Sequence, residues 1–265
     1  MKERPLILVC NDDGITSRGI RFLAEAMMQL GEVVVVAPNS PQSGMGHAIT
    51  VGETLRLDKS IAFEKENILA YECSGTPVDC VKLAKHYVLK DRPVDLLVSG
   101  INHGSNSSIS VLYSGTMSAA IEGAIEGIPS IGFSLGDHSM DADFSHTLQY
   151  IILIASQVLK SSLPKGIALN VNLPIKKEEE IKGIRICRQA NAYWKEKFDI
   201  REDPYGRSYF WMDGNLLNED KGDDTDEWAL ANNYVSIVPC QFDMTAHHAL
   251  AELNNWELSS SKMSL

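Results

Sequence analysis

Short runs of aliphatic residues alternate with amphipathic segments over most of this 265-residue chain. The first run covers residues 6–10. In the segment that follows, the apolar residues Ile20, Leu23 and Met27 recur at the spacing of one buried helix face. Strands that alternate with helices pair in parallel through right-handed crossovers. The pattern therefore predicts an α/β fold, a three-layer αβα sandwich around a mostly parallel sheet.

The predicted elements follow from these runs and from the residues that flank them. Thr76 and Pro77, for example, supply a helix N-cap and a proline at the first helical position. The predicted strands cover residues 6–10, 33–37, 69–73, 95–99, 130–134 and 167–171, and the predicted helices cover 19–30, 77–89, 114–126 and 144–160.

The residue pattern changes in the last third of the chain. We expect residues 1–175 to form the core, and residues 176–265 to form a C-terminal extension that belongs to the same single domain. Within the extension, residues 193–213 are aromatic and charged on both sides of a turn at 203–206. This arrangement predicts a long β-hairpin.

A two-stranded hairpin is marginal in water, so its aromatic side chains need a partner surface. Exchange between subunits would supply that surface. Folding back over its own subunit is the alternative. The acidic cluster at residues 219–227 is predicted as a solvated loop.

Composition excludes several classes of partner. A hydrophobic content of 44% is enough for one sizeable core, and a net charge of −11 opposes binding to a nucleic acid polymer or an anionic membrane. The five cysteines are widely spaced and contain no C-x-x-C pair, which favours reduced thiols and a cytoplasmic location. No run is long enough to span a membrane, so we expect a soluble protein.

The adjacent pair Asp12 and Asp13 directly follows the first apolar strand. Two neighbouring carboxylates repel each other unless a cation or a proton intervenes. Small oxygen-bearing side chains also follow two other predicted strands, and the carboxyl ends of parallel strands meet at one crevice. These side chains are Asn39, Ser40, Gln42 and Ser43 after the second strand, and Ser99, Asn102, Ser105, Asn106 and Ser107 after a later one.

Such donors suit a hard divalent cation, Mg²⁺, Mn²⁺ or Ca²⁺, better than zinc. We predict one ion per subunit, held by Asp12, Asp13, Ser43 and Asn102. The alternative for each residue alone is an ordinary structural role: Asp12 would cap the next helix and Asn102 would shape a turn.

A second feature predicts an anion site beside the metal. Residues 100–106 form a glycine-rich loop, and Ser114-Gly115-Thr116 opens a predicted helix, whose free amides and dipole attract anions. Phosphate is the expected anion, although no Walker motif or G-x-G-x-x-G supports a triphosphate or a dinucleotide. The residues predicted to contact phosphate are Asn102, Gly104, Asn106, Ser114, Gly115 and Thr116.

The predicted catalytic group is Asp13 as proton acceptor, together with Asn106, Ser114 and Thr116, which would position the phosphate. His103 lies in the same loop and could donate to an oxyanion or transfer a proton. Its alternative is an ordinary histidine in a polar surface loop.

Two rival functions stay open. Residues 132–136 match the nucleophile elbow G-x-S-x-G of serine hydrolases, and Asp226 and His247 or His248 follow in the required order. An elbow needs a tight turn from strand to helix, whereas residues 137–141 look like a loop. The second rival is a module that binds a nucleotide without catalysis.

Several long segments resemble the SurE family of survival-protein phosphatases, which are metal-dependent 5′(3′)-nucleotidases. These segments are ILVCNDDGI, VVVVAPNSPQSGMGHAIT, SGTPVDCVKLA, LLVSGINHGSNSSISVLYSGTMSAAIEG, GIPSIGFSL and DTDEWALANNYVSIVPCQFDMT. One departure is Met117-Ser118, where many relatives have valine and glycine.

The resemblance implies a Rossmann-like sandwich with a C-terminal β-hairpin extension, and a divalent cation at Asp12, Asp13, Ser43 and Asn102. It implies hydrolysis of nucleoside 5′- and 3′-monophosphates to nucleoside and phosphate, with short polyphosphate as a further candidate substrate. Dimers or tetramers with exchanged C-terminal elements are also implied.

Overall fold

The structure of the protein, a computed structural model, describes residues 4–175 and 179–256. The start of the predicted core, residues 1–3, and the start of the predicted extension, residues 176–178, lie outside the described residues. The strands are β1 (Leu6–Cys10), β2 (Glu32–Pro38), β3 (Leu57–Lys59), β4 (Leu69–Cys73), β5 (Leu96–His103), β6 (Ser130–Leu135), β7 (Ile167–Leu173), β8 (Ile184–Ile186), β9 (Ala192–Glu202), β10 (Ser208–Asn218) and β11 (Val235–Gln241).

Four helices lie between these strands at the positions predicted, and two short helices, Asp226–Ala231 and Leu250–Leu253, were not predicted. The helix that begins at Pro77 continues into a π-helical turn, Ala84–Val88, and short 3₁₀ turns occur at Ser108–Tyr113, Ser145–Thr147 and His247–Ala249. The α-helices are α1 (Arg18–Met28), α2 (Pro77–Leu83), α3 (Gly115–Ile125), α4 (Leu148–Ser161), α5 (Asp226–Ala231) and α6 (Leu250–Leu253).

One sheet organises the core, with strand order β3-β4-β2-β1-β5-β6-β7-β11-β8. Its six central strands, from β4 to β7 in that order, are mutually parallel, which confirms the predicted topology. Strand β3 is antiparallel to β4, and β11 is antiparallel to β7. The chain therefore returns late in the sequence to extend the same sheet.

Alternate residues of the central strands enter two separate cores, one on each face of the sheet. Ile7 and Val9 of β1 pack with α1 and α4, whereas Leu8 and Cys10 pack with α2 and α3. Each such aliphatic side chain contributes roughly 1.5–3 kcal/mol when it is fully buried. The three-layer sandwich is thus confirmed, and the short aliphatic runs are strands buried on both faces.

Strand β5 runs further than predicted. Ser99 pairs with Gly132 and Asn102 pairs with Ser134, so β5 uses three residue steps where β6 uses two. The extra residue forms an irregularity of the bulge type, which keeps the strand paired beyond Ser99. Asn102 and His103, predicted in a loop, are consequently part of a strand that adjoins β1.

The prediction of a solvated acidic loop at 219–227 is wrong at its end. Thr225 and Asp226 are buried, and helix α5 begins there because the Thr225 hydroxyl accepts a hydrogen bond from the Trp228 amide. The buried Asp226 carboxylate, in place of water, accepts hydrogen bonds from the amides of Ser108, Ala190 and Glu227. Asp220 lies in the remaining loop and pairs with Arg188.

The predicted hairpin is present and longer than expected, with β9 and β10 paired over eleven residues each. It forms a separate two-stranded sheet, and its side chains are largely exposed: Phe198 is 56% and Trp211 61% exposed. Contact with the core is made at its base, where the indole N–H of Trp194 donates to the Ser110 hydroxyl. The rest of the described chain therefore leaves these aromatic side chains uncovered.

No helix among the described residues has the length and apolar character needed to cross a bilayer.

Replacement of Gly19 by alanine should destabilise the protein. A Cβ atom at this position in α1 would lie 2.1 Å from the Ile101 carbonyl oxygen of β5, and a backbone atom cannot move aside easily. We expect Gly19→Ala to lower the free energy of unfolding by roughly 1–3 kcal/mol in urea titrations. The control is Glu25→Ala on the exposed face of the same helix, which should change it by less than about 0.5 kcal/mol. Equal stability of the two variants would contradict this packing.

Candidate active site

The segments predicted to form the site meet at the carboxyl ends of β1 and β5. The amide of Gln42 donates to the Asp12 carbonyl at 2.7 Å, so the loop after β2 lies beside the loop after β1. The amide of Gly46 donates to the Tyr113 carbonyl at 3.3 Å, which ties the same loop to the start of α3. The register between β1 and β5 pairs Cys10 with Ser99. Three distant stretches of sequence thus border one crevice.

A local turn sets the paired aspartates in this crevice. The Asn11 amide nitrogen donates to the Gly14 carbonyl at 3.0 Å and to the Ser17 hydroxyl at 2.9 Å. Gly14 has φ of +91°, a conformation that side chains with a Cβ rarely adopt. Ser17 in turn caps α1. The sequence Asn-Asp-Asp-Gly therefore encodes a turn that ends β1 and starts the next helix.

Asp12 is almost fully buried, with 4% of its surface exposed. Its Oδ1 accepts a hydrogen bond of 2.5 Å from the Thr116 hydroxyl. Gly115 presses on the other side, where an added Cβ would lie 2.8 Å from Asp12 Oδ2. Burial, and to a lesser extent the charge of Asp13, raises the pKa of Asp12 to about 6, although the bond from Thr116 opposes this rise. Asp12 is thus a carboxylate held in place whose charge lacks full compensation.

Asp13 has the unsatisfied oxygen expected of a cation ligand. Its Oδ2 is buried and has no hydrogen-bond partner in the described structure. Burial raises the pKa of Asp13, and the charge and backbone amide of His103 lower it in part. An unpartnered buried carboxylate oxygen is costly unless another group satisfies it. A divalent cation would satisfy this oxygen and offset the repulsion from Asp12.

The neutral donors differ in how firmly they are placed. The Asn102 amide nitrogen donates to the Gly104 carbonyl at 2.8 Å, so the amide oxygen is the atom left to act as a ligand. Ser43 lies exposed in the loop after β2, next to Gln42. Among the described residues, no group of three or more His, Cys, Asp or Glu side chains is arranged to hold a metal. Two carboxylates with an amide and a hydroxyl oxygen are donors of the kind that a hard cation accepts.

The start of α3 has the features of an anion site. The Ser114 hydroxyl accepts a 3.0 Å bond from the Met117 amide and keeps its own hydrogen for another acceptor. The first amides of the helix, those of Gly115 and Thr116, have no acceptor within the helix. Thr116 differs from its predicted role, since its fully buried hydroxyl donates to Asp12. Its side chain orients the carboxylate.

Two further predicted phosphate contacts are used elsewhere. The amide of Gly104, predicted to contact phosphate, donates instead to the carbonyls of Leu135 and Asp137 in this structure. Asn106 is buried, its backbone amide donates to Asn172, and its side-chain amide donates to Ser134 at 2.8 Å. These bonds hold the loop after β5 against β6 and β7, and they give Asn106 a structural position.

His103 is more than a surface histidine. Its Nδ1 lies 2.8 Å from the Ser139 carbonyl, and because a carbonyl can only accept, Nδ1 carries the hydrogen. The ring packs edge-on against Phe144 with centroids 5.3 Å apart. This fixed ring stands near enough to Asp13 to lower the pKa of that carboxyl. Its other nitrogen, Nε2, makes no hydrogen bond within the described residues.

Sequence reasoning missed the residues that support this loop from behind. Asn172 Oδ1 accepts bonds from the Ser105 hydroxyl and the Asn106 amide, and Asn170 donates to the Asn106 carbonyl at 2.8 Å. Both asparagines are buried within the otherwise apolar strand β7. Two asparagines spaced by two in a buried strand were the available signal, because buried amides require partners.

The serine hydrolase alternative is contradicted by the positions of its parts. Ser134 lies inside strand β6, fully buried, where its hydroxyl accepts a bond from Asn106. Asp226 binds backbone amides, and His247 pairs with Asp243. A nucleophile elbow needs an exposed serine at a strand-to-helix turn, so the motif match is fortuitous.

The fold and the crevice together define a class of protein: an α/β sandwich with a parallel sheet that carries an acidic, oxygen-rich site beside a helix N-terminus at the carboxyl ends of its strands. A family model described as "Survival protein SurE" matches residues 7–196. The chain belongs to the SurE family.

Relatives and a solved structure agree with this assignment. A protein of Cytophaga hutchinsonii named 5'-nucleotidase SurE is 68% identical over 256 residues, which cover 96% of this chain and 98% of that protein. A protein of Flavobacterium psychrophilum with the same name is 61% identical over 97% of this chain and 99% of its own length. The crystal structure of the SurE protein from Aquifex aeolicus is similar with a TM-score of 0.81 at 38% identity, covering 94% of this chain and 98% of that one.

The pKa of Asp12 predicts an unusual effect of removing its charge. Because the pKa rises from 3.8 to about 6 on folding, the ionised form destabilises the folded protein above pH 6 and the neutral form does not. Without divalent cations, Asp12→Asn should therefore raise the free energy of unfolding at pH 8 by roughly 3 kcal/mol. The gain should shrink as the pH falls from 6 and amount to only about 0.5 kcal/mol at pH 4, close to the unfolded-state pKa of 3.8.

Thermal unfolding at pH 8 and pH 4 in a chelating buffer provides the measurement. Addition of Mg²⁺ or Mn²⁺ should stabilise the parent protein and leave Asp12→Asn unchanged. A variant that is less stable than the parent at pH 8 without metal would contradict the assigned burial.

Proposed function

We propose that this protein is a divalent-metal-dependent phosphomonoesterase that releases phosphate from nucleoside 5′-monophosphates. Relatives at 68% and 61% identity carry the name 5'-nucleotidase SurE. The observation that carries the proposal is the adjacent pair of buried Asp12 and half-buried Asp13, with an unsatisfied Asp13 oxygen, beside the amino end of α3. A cation and a phosphate placed there would compensate each other's charge.

The proposed ligands of the cation are Asp12, Asp13, Ser43 and Asn102. When bound, a divalent ion supplies polarisation of a phosphoryl oxygen and acidification of a water molecule. Mg²⁺ or Mn²⁺ is proposed as the ion, with Ca²⁺ as another that the oxygen donors accept. Thr116 would hold Asp12 in place through its 2.5 Å bond.

Substrate positioning is assigned to the amino end of α3. The Ser114 hydroxyl and the Gly115 amide would donate to phosphate oxygens, and the helix dipole favours the dianion there. Asn106 would act through the loop it braces. The pair Asp13 and His103 is proposed to hold and move the proton of the attacking water, because the two groups interact and His103 keeps a free ring nitrogen.

The proposal extends to finer points. Hydrolysis of 3′-monophosphates and short polyphosphate is included, because the crevice recognises a phosphoryl group through features that do not depend on the sugar position. A reducing, cytoplasmic setting is included because all five cysteines are free thiols.

Replacement of Asp13 by asparagine should abolish turnover and preserve the fold, since the carboxylate serves the metal and the proton. We expect kcat/KM for a nucleoside 5′-monophosphate to fall at least about 100-fold, measured as phosphate release with Mg²⁺ or Mn²⁺ in turn.

Ser43→Ala should raise the metal concentration needed for half-maximal activity. Its control is Ser40→Ala in the same exposed loop.

Normal turnover of Asp13→Asn at saturating metal would refute the assignment. Undiminished phosphate release by the parent protein in a chelator would refute metal dependence. Tight nucleotide binding with no phosphate release under any metal would instead favour a binding module.

The exposed aromatic hairpin supports a further part of the proposal, a homodimer or homotetramer assembled through β9 and β10. Replacement of residues 197–213 by a two-residue turn should reduce the molar mass measured by light scattering to that of a smaller assembly, because it removes Phe198, Tyr209 and Trp211. The base of the hairpin, including Trp194, would remain. An unchanged molar mass would show that assembly uses another surface.

A further inference from the structure

We propose that Asp226 is a positioning residue that fixes the loop bearing Asn106 and the base of the hairpin relative to each other. The proposal rests on the proposed function, because the loop matters to catalysis only if the crevice is the active site. Asp226 is the first residue of α5 and is 1% exposed. Its carboxylate bonds to the amides of Ser108, Ala190 and Glu227, none of which is a proposed metal ligand or part of α3.

The Asp226 carboxylate joins two segments through backbone amides. Its Oδ2 accepts a 2.8 Å bond from the Ser108 amide, which directly follows the loop after β5. Its Oδ1 accepts a 2.9 Å bond from the Ala190 amide, just before β9, and another from the Glu227 amide. Hydrogen bonds to an ionised acceptor are the stronger ones, and burial leaves no water to replace them.

Ser108 strengthens the same connection from the other side. Its hydroxyl lies 2.9 Å from the Ala190 carbonyl and 3.1 Å from the Ala192 carbonyl, the first residue of β9. The residue is fully buried and has φ of +52°, a left-handed conformation that costs free energy without glycine. Asp226 and the two carbonyls thus hold Ser108 in a conformation it would otherwise leave.

Hydrogen bonds from neighbouring side chains also fix the loop after β5 in place. Glu227 accepts a 2.5 Å bond from the Ser107 hydroxyl. On the opposite side, Asn106 is fixed to Asn172 and Ser134 of the main sheet. The 3₁₀ turn that begins at Ser108 leads directly to the N-cap of α3. A shift at Asp226 would therefore reach both Asn106 and the proposed phosphate site.

Asp226→Asn tests this role because asparagine retains the shape and presents an N–H₂ group to one of the backbone N–H donors. The matched control is Asp220→Asn. Asp220 binds the same hairpin base, through the Asn191 amide and Arg188, and makes no bond to residues 105–108. Both full-length proteins would be compared with the parent.

Two measurements separate the variants. In metal-free protein, hydrogen–deuterium exchange of residues 105–113 should rise in Asp226→Asn and stay at the parent level in Asp220→Asn, whereas residues 188–193 should exchange faster in both. With saturating metal, kcat for a nucleoside 5′-monophosphate should fall about 10-fold or more in Asp226→Asn and less than about twofold in the control.

If Asp226→Asn does not fold, Ser108→Ala gives the test, since it removes the two hydroxyl bonds and keeps the carboxylate. It should raise exchange in residues 105–113 and lower kcat by a smaller factor. Parent-like exchange in residues 105–113, or equal losses of kcat in Asp226→Asn and Asp220→Asn, would overturn the proposal. A parent protein that releases no phosphate would count against the proposed function alone, because the exchange measurement tests the positioning role of Asp226 without turnover.

Discussion

The burial of two adjacent carboxylates at the end of β1 is the constraint on which the site depends. Asp12 is buried and Asp13 half-buried beside it, and burial raises both pKa values. Only Thr116, the backbone and His103 oppose that rise. In such an arrangement the ionised carboxylates destabilise the fold, and binding of a cation would remove that cost. The close contact of Gly115 with Asp12 brings the amino end of α3, the proposed phosphate site, to the same place.

The rest of the fold holds this pair in place. The parallel strands deliver their carboxyl ends to one edge, and the irregularity in β5 keeps Asn102 and His103 paired with β6 beyond Ser99. Behind them lies a buried polar network of Asn106, Ser134, Asn170 and Asn172, whose amides satisfy one another. A network of this kind has few alternative arrangements, because each broken bond would leave a polar group buried without a partner.

The late segments of the chain complete the site although they lie outside it. Strand β11 extends the main sheet next to β7, and α5 places Asp226 and Glu227 against the loop after β5. The exposed hairpin leaves the body of the protein at the same point. One buried carboxylate therefore connects the sheet extension, the hairpin and the crevice, which explains why an acidic cluster that looks solvated in the sequence is buried at its end.

Local patterning in the sequence determined most of the fold. Aliphatic runs fixed the six parallel strands, helical periodicity and caps such as Thr76 fixed the helices, and the motif around Asp12 and Asp13 indicated where the crevice and its chemistry lie. Only the tertiary structure decided which polar groups meet. Thr116 donates to Asp12 across 104 positions of sequence, the Gly104 amide is consumed by Leu135 and Asp137, and Asp226 is drawn into the core. Periodicity reports the environment of one segment at a time, whereas a buried hydrogen bond is chosen by the packing that brings two distant segments together.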